Sequence, residues 1–388
     1  MPTSLLAADP SVGGFRTVGP ERTWERIRPM LPRFGITRVA DVTGLDEVGI
    51  HVHVAYRPTG RTLAVTAGSA TTVVQSKVSA VMESIESWHA ENPRLPRVAR
   101  CPARDLDLGY PVRSLNLRRD SPLTDRTVLD WVPAAGITSG APTAVPFDTL
   151  YLDFARRQHW GAMFFEITSS GLAVGNTFAE ASLHGLFEML ERHNVAPFAS
   201  CPPSRRAYVD LDTVTLPSVR TALDALARAG CWVQVCDATG DLGVPCYFAT
   251  IWSPELPVRF GGIGCHVDGQ RALGRAIDEA ALSRLTTITG ARDDISWDVY
   301  RHIDPLSVPP PTADGPFVPV RTDPVEATTV DDLLRRATAL ATGCSGVEPI
   351  VVDLTRDDIG IPAVKVYTPG LAMVDGTALG RTPPESGR

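Results

Sequence analysis

Glu180, His184, Glu188 and Glu191 follow one another at spacings of four, four and three residues in "NTFAEASLHGLFEMLERH". At about 100° per residue they fall within a band about 80° wide on one side of a helix. Three carboxylates on such a band repel one another unless a cation sits among them, and a divalent metal is the usual solution. A solvated helix side, with Glu180 used as a cap, has the same pattern.

Two further helices carry charge in a similar way. In "TTVVQSKVSAVMESIESWHAE", roughly 72 to 90, Val74, Val78, Val81, Ile85 and Trp88 make an apolar face with Ser79, Glu83 and Glu86 opposite. Glu83 and Glu86 are three apart, so both could hold one metal ion, and a solvated face would look alike. In "GQRALGRAIDEAALSRLTTI", roughly 269 to 288, Arg271, Arg275 and Glu279 share a stripe. That is the pattern of a surface ion pair, and equally of a grip on a triphosphate.

The elements that must position these groups are legible in outline. Thr177 followed three residues later by Glu180 is a capping box, and Leu183, Leu186, Phe187 and Leu190 form the apolar face of the helix it starts. Upstream, "GIHVHVAYRP" and "RTLAVTAG" read as strands around a Pro-Thr-Gly turn. Residues 93–122 read as an irregular connection, and "TAVPFDTLYLDF" and "AMFFEIT" as strands. Downstream, "CWVQVCDAT" and "VPCYFATIW" read as a strand pair, "GGIGCHVDG" as a loop, and 303–323 as an extended proline-dense crossing. A helix near 329–342 and strands in "EPIVVDLT" and "AVKVYTPG" follow. No internal repeat is evident. Without strict βαβ alternation the expected class is α+β.

Composition narrows the function. The 388 residues are 44% hydrophobic and 21% charged, with 44 acids against 37 bases, and no basic tract supports nucleic-acid binding. No run of about 18 apolar residues predicts a membrane span, and the N-terminus lacks signal-peptide features, so a cytoplasmic location is expected. Seven dispersed cysteines argue against a disulfide framework, and Cys231 and Cys236 read as buried small hydrophobes. A P-loop, a dinucleotide fingerprint, a nucleophile elbow and a zincin helix are all absent, so acids and a metal must mediate any nucleotide binding. His89, His193 and His266 sit at helix ends or loops, where structural roles are expected. His184 is better placed to touch a nucleotide or to support a glutamate.

From about residue 35 to 372 the chain resembles the YcaO-domain family. The matching blocks are "SAVMESIESWHAENP", "SSGLAVGNTFAEASLHGLFEMLERH", "HVDGQRALGRAIDEAALSRLT" and "DLTRDDIGIPAVKVYTPGL", in the family's order. The resemblance implies an N-terminal extension over 1–34 and a YcaO-type domain over 35–388, with subdomains at roughly 35–92, 93–165 and 166–388. It implies ATP and Mg2+ as cofactors and activation of a peptide backbone amide in a ribosomally made precursor, giving a thioamide, an azoline or a macroamidine. It assigns Glu83, Glu86, Glu188, Glu191 and Glu279 to metal, and Ser79, Asn176, Glu180, Arg192 and Arg275 to the nucleotide, with Arg275 and Glu279 at the reacting phosphate; His184 joins the nucleotide-contact candidates from its place on the helix stripe alone. Precursor peptide, a TfuA-like protein and a second copy of the chain are the implied partners.

Two positions depart from the family pattern. Ser69 stands where many relatives carry a lysine, and Ser170 where they carry an asparagine. The C-terminal "RTPPESGR" lacks the proline-alternating tail of many azoline-forming relatives, and no leader-binding winged helix is expected ahead of residue 35. A catalytically weakened scaffold that binds peptide or a partner enzyme is therefore the alternative reading.

Overall fold

The computed structural model describes residues 16–153, 164–292, 295, 300, 310–322, 327 and 329–373. The chain opens with α1 (Pro20–Ile27), β1 (Arg38–Asp41), β2 (His51–Tyr56), β3 (Val65–Ala70) and α2 (Val73–Glu91). β4 (Ala99–Pro102), β5 (Val128–Gly136), β6 (Pro142–Pro146), β7 (Leu172–Val174) and α3 (Phe178–Ala199) follow. Next come β8 (Ala207–Asp210), α4 (Pro217–Arg228), β9 (Trp232–Asp237), β10 (Cys246–Trp252), β11 (Phe260–Cys265) and α5 (Gly269–Thr289). β12 (Phe317–Pro319), α6 (Val330–Ser345), β13 (Ile350–Asp353) and β14 (Ala363–Tyr367) complete the described chain.

The described strands form three sheets, ordered β1-β2-β3, β11-β10-β9-β8-β12, and β4-β5-β13-β14-β7 with β6 on β5. Among the described ladders only β12 with β8 is parallel, so the class is α+β as expected. Helix α2 covers β2 and β3, α5 covers β10 and β11, and α3 lies against β7, β14 and α6. The carboxylate-bearing faces of the three helices therefore converge where the sheets meet. Leu183, Leu186, Phe187 and Leu190 are buried in the core under α3, as their spacing predicts.

Beside the Glu83 stripe of α2, a second line of small residues packs on β2 and β3. Ser76, Ala80 and Ser84 are buried against the sheet, with Ser76 Oγ hydrogen bonded to His53 Nδ1 (2.8 Å) and Ser84 Oγ to Thr66 Oγ1 (2.6 Å). Small residues let the helix approach β3 so closely that a Cβ on Gly68 would lie 2.3 Å from the Ala80 nitrogen. The same device accounts for "GGIGCHVDG", which is largely strand β11 rather than a loop: a Cβ on Gly264 would meet the Ala272 oxygen at 2.2 Å. Glycines that suggest a turn in the sequence here leave room for α5.

Elsewhere, "TAVPFDTLYLDF" is strand only to Pro146 and then enters a 3-10 turn at Phe147–Thr149. Within the described part of "AMFFEIT", Phe165 makes a single bridge to Leu117. The connection 93–122 contributes β4. Of the proline-dense stretch 303–323, residues 310–322 are described and carry the short strand β12, whereas 303–309, 323 and the whole of "RTPPESGR" lie outside the described residues.

The structure also contains a repeat that no sequence block displays. Helices α2, α3 and α5 are capped by Thr72, Thr177 and Asp268, each side chain accepting a first-turn N–H. Seven residues beyond each cap stand Ser79, His184 and Arg275; eleven beyond, Glu83, Glu188 and Glu279; fourteen beyond, Glu86, Glu191 and Leu282. Three units thus place their functional side chains at equivalent helix positions, and the third replaces its second acid with leucine.

Candidate active site

Each glutamate eleven residues past a cap is oriented by backbone. Ala67 N–H donates to Glu83 Oε2 at 3.2 Å, Gly171 N–H to Glu188 Oε2 at 3.2 Å, and Ile263 N–H to Glu279 Oε2 at 2.8 Å. Glu188 Oε1 accepts a 3.3 Å hydrogen bond from Arg192 Nη2.

The electrostatics describe one connected cluster. Enclosure by protein drives Glu86 well above the usual carboxylate range, and Glu188 and Glu83 push it further. Glu191 is raised to about 8 by the same enclosure and by Glu279, with Glu188 adding and Arg192 and Arg275 opposing. Enclosure also raises Glu279. The five acids Glu83, Glu86, Glu188, Glu191 and Glu279 therefore meet across three helices. Arg275 and Glu279 keep solvent contact and Glu83, Glu86, Glu188 and Glu191 are half-buried, so these groups line an open cleft rather than a sealed core. His184 also faces solvent. Its enclosure, with Arg16 and Arg275 nearby, lowers it to about 3, so it is neutral at ordinary pH.

Not every expected residue has the same availability. Ser79 is exposed on α2 beside these acids. Glu180 is buried, and both its oxygens accept backbone N–H groups, one from Asn176 at 2.9 Å and one from Thr17. Asn176 Oδ1 accepts from Thr23 Oγ1 at 3.1 Å. His266 stacks on Phe187, and His193 bonds Asp241 at 3.0 Å. Cys231 and Cys236 are buried, as their apolar surroundings predict.

Residue spacing did not point to three contributors. Residues 16–27 pack on the Asn176 turn, and Arg16 brings a cation near His184 and Arg275. Asp278 is raised to about 7 by burial, and its carbonyl accepts from Ser69 Oγ at 2.9 Å. Lys365, in the centre of β14, is buried, lowered to about 8, and feels Glu188 and Glu86. The signal for Lys365 was available: a lysine inside the wholly apolar run "AVKVY" requires acidic or hydrogen-bonding partners.

The donor set fits a magnesium nucleotide. Hard carboxylate oxygens crowd together, and the proton affinities of Glu86, Glu191 and Glu279 are raised, a strain that divalent cations relieve. Arg192 Nε is buried without a hydrogen-bond partner among the described residues, and Arg275 spends one N–H on the Cys265 carbonyl at 3.3 Å, so both guanidinium groups retain capacity for phosphate oxygens.

Comparison with known proteins gives a consistent result. Residues 67–372 match the family model described as YcaO cyclodehydratase, ATP- and Mg2+-binding. An uncharacterized protein of Mycobacterium tuberculosis is 36% identical over 391 residues, covering 98% of this chain and 88% of that protein. An uncharacterized protein from the tfuA 3' region of Rhizobium leguminosarum bv. trifolii is 33% identical, covering 92% and 89%. The structure of YcaO from Methanopyrus kandleri bound with AMPPCP and Mg2+ superimposes with a TM-score of 0.74 at 20% identity, covering 99% of this chain and 100% of that one. Matched over this length, the chain is an ATP- and Mg2+-binding enzyme of the cyclodehydratase type, and it belongs to the YcaO family.

Proposed function

We propose that this enzyme activates a backbone amide of a ribosomally made precursor peptide and, with a TfuA-like partner, converts it to a thioamide. The observation that carries the choice of product is the 33% identical relative in a tfuA region. When bound, ATP with Mg2+ supplies the phosphoryl group that turns the amide oxygen into a leaving group. Glu83, Glu86, Glu188, Glu191 and Glu279 hold the cations, each eleventh-position carboxylate fixed by its backbone N–H. Arg275 and Arg192 take phosphate oxygens, Arg275 at the transferred group. Ser79 and Asn176 stand at the edges of the same cleft, and neutral His184 contacts the nucleotide without opposing Arg275. Glu180 holds the Asn176 turn and the N-terminal segment in place.

The serine at position 69 also favours the weakened-scaffold reading, but Arg16 brings positive charge to the same cleft. Incubating the enzyme with precursor, ATP, Mg2+, a sulfur donor and the TfuA-like protein should exchange one oxygen for sulfur by mass spectrometry. Loss of water would replace the thioamide reading with an azoline or macroamidine. An unmodified peptide and no nucleotide hydrolysis would favour the scaffold.

A further inference from the structure

Beside the carboxylate cleft lies a separate cavity of about 130 Å³, lined by residues of the 114–117 and 166–170 segments and by the end of β14. Its size is that of about four water molecules. Lys365 belongs to both places: it lines the cavity, and its charge interacts with Glu188 and Glu86. The strand register explains why. Lys365 pairs with Leu172 on β7, next to Gly171, whose N–H holds Glu188 and whose carbonyl accepts from Val366 at 2.8 Å.

Lys365 Nζ donates to the Thr168 carbonyl at 2.6 Å, and an ammonium group has two further N–H bonds to give. Thr368, also on the cavity wall, is only 5% exposed and its Oγ1 has no hydrogen-bond partner among the described residues. A buried hydroxyl left in that state is costly unless a ligand answers it. The remaining polar lining includes Asn116, Ser170 and the carboxylate of Glu166, next to apolar Leu115 and Met189. One cation, one carboxylate and neutral hydrogen-bonding groups do not suit an anion. They suit a neutral group that both donates and accepts, with a small apolar appendage.

We propose that this cavity is the subsite for the reacting peptide unit, and that Lys365 donates a hydrogen bond to its carbonyl oxygen on the side facing the carboxylate cleft. The assignment rests on the peptide-amide reading above and deepens it. Thr368 completes the hold on the same unit. Lys365 thereby sets the carbonyl oxygen toward the place where Arg275, Glu191 and Glu279 gather phosphate.

The test uses a minimal peptide unit, N-acetylglycine N-methylamide, titrated by ligand-observed NMR onto the full chain saturated with Mg2+ and ADP, with Mg·ADP affinity measured separately. In Lys365→Met the probe should bind about tenfold more weakly or worse, because a charged hydrogen-bond donor is lost. Thr368→Val should weaken it severalfold with Mg·ADP affinity within about twofold of wild type, and Lys365→Arg should restore part of the loss seen in Lys365→Met. Undiminished probe binding in both variants overturns the proposal, as does a wild-type chain that binds Mg·ADP and no probe. An equal loss of probe and Mg·ADP affinity in Lys365→Met makes Lys365 a counter-charge of the metal site and also overturns it. If Lys365→Met fails to fold, Thr368→Val decides alone. Failure of the amide reading itself is seen elsewhere, as a precursor that remains unmodified while the probe binds.

Discussion

Glu191 concentrates the chemistry of the cleft at the scale of one residue. Glu191→Gln or Glu279→Gln should abolish nucleotide turnover while circular dichroism and thermal unfolding stay near wild type, because both side chains face an open cleft. An active variant would displace the site. Titration gives a second expectation. Glu191 moves from an ordinary 4.5 to about 8 on folding, and Glu86 and Glu279 move the same way. Between those values the folded chain holds protons that the unfolded chain has released, so stability falls as pH rises through that window. In EDTA the melting temperature should therefore decline from pH 5 to 8, and saturating Mg2+ should flatten the decline. Glu188, Glu279, Arg192 and Arg275 all face Glu191, and Glu191→Gln alone should remove only part of the slope.

At the scale of elements, the site depends on how closely α2 and α5 approach their strands. Gly68→Ala places a methyl group 2.3 Å from the Ala80 nitrogen and 2.7 Å from the Ser76 carbonyl oxygen of α2, with no flexible side-chain end to yield. Denaturant titration should find a loss of about 1–3 kcal/mol, with weaker Mg·ADP binding because Glu83 moves with the helix. The far end of α2 is tied by a different contact. Arg57 and Glu91 are both about 2% exposed and form a bidentate pair, with Arg57 Nη2 2.6 Å from Glu91 Oε1. Glu91 Oε1 also accepts from Arg61 N–H, Thr62 N–H and Thr62 Oγ1. Glu91→Gln leaves Arg57 buried with its charge unmatched and should cost about 3–5 kcal/mol by the same titration. Both contacts escape periodicity analysis because they join residues far apart on different elements.

For the whole molecule, the three cap-to-glutamate units define the cleft, and residues 16–27 close onto it through Thr17 and Thr23. A chain starting after residue 27 should bind Mg·ADP several-fold more weakly by calorimetry, since it loses Arg16 and the contacts that fix Glu180 and Asn176. No helix among the described residues is long and apolar enough to cross a membrane. The homodimer implied by family resemblance is a proposal that light scattering of the full chain tests.

Helical periodicity alone determined which residues would share a stripe, because side-chain direction along a helix follows from 3.6 residues per turn. It placed Glu83 with Glu86, Glu188 with Glu191, and Arg275 with Glu279, and the capping residue Thr177 located the start of α3. It could not separate a metal wall from a solvated face, since both present acids opposite an apolar stripe. Tertiary structure decided that. Glycine strands draw α2 and α5 onto their sheets, three helices then turn their acids toward one cleft, and the mutual repulsion of those acids exists only once they meet. The register of β14 on β7 was equally out of reach, and it sets Lys365 between the carboxylates and a cavity that no run of residues encodes.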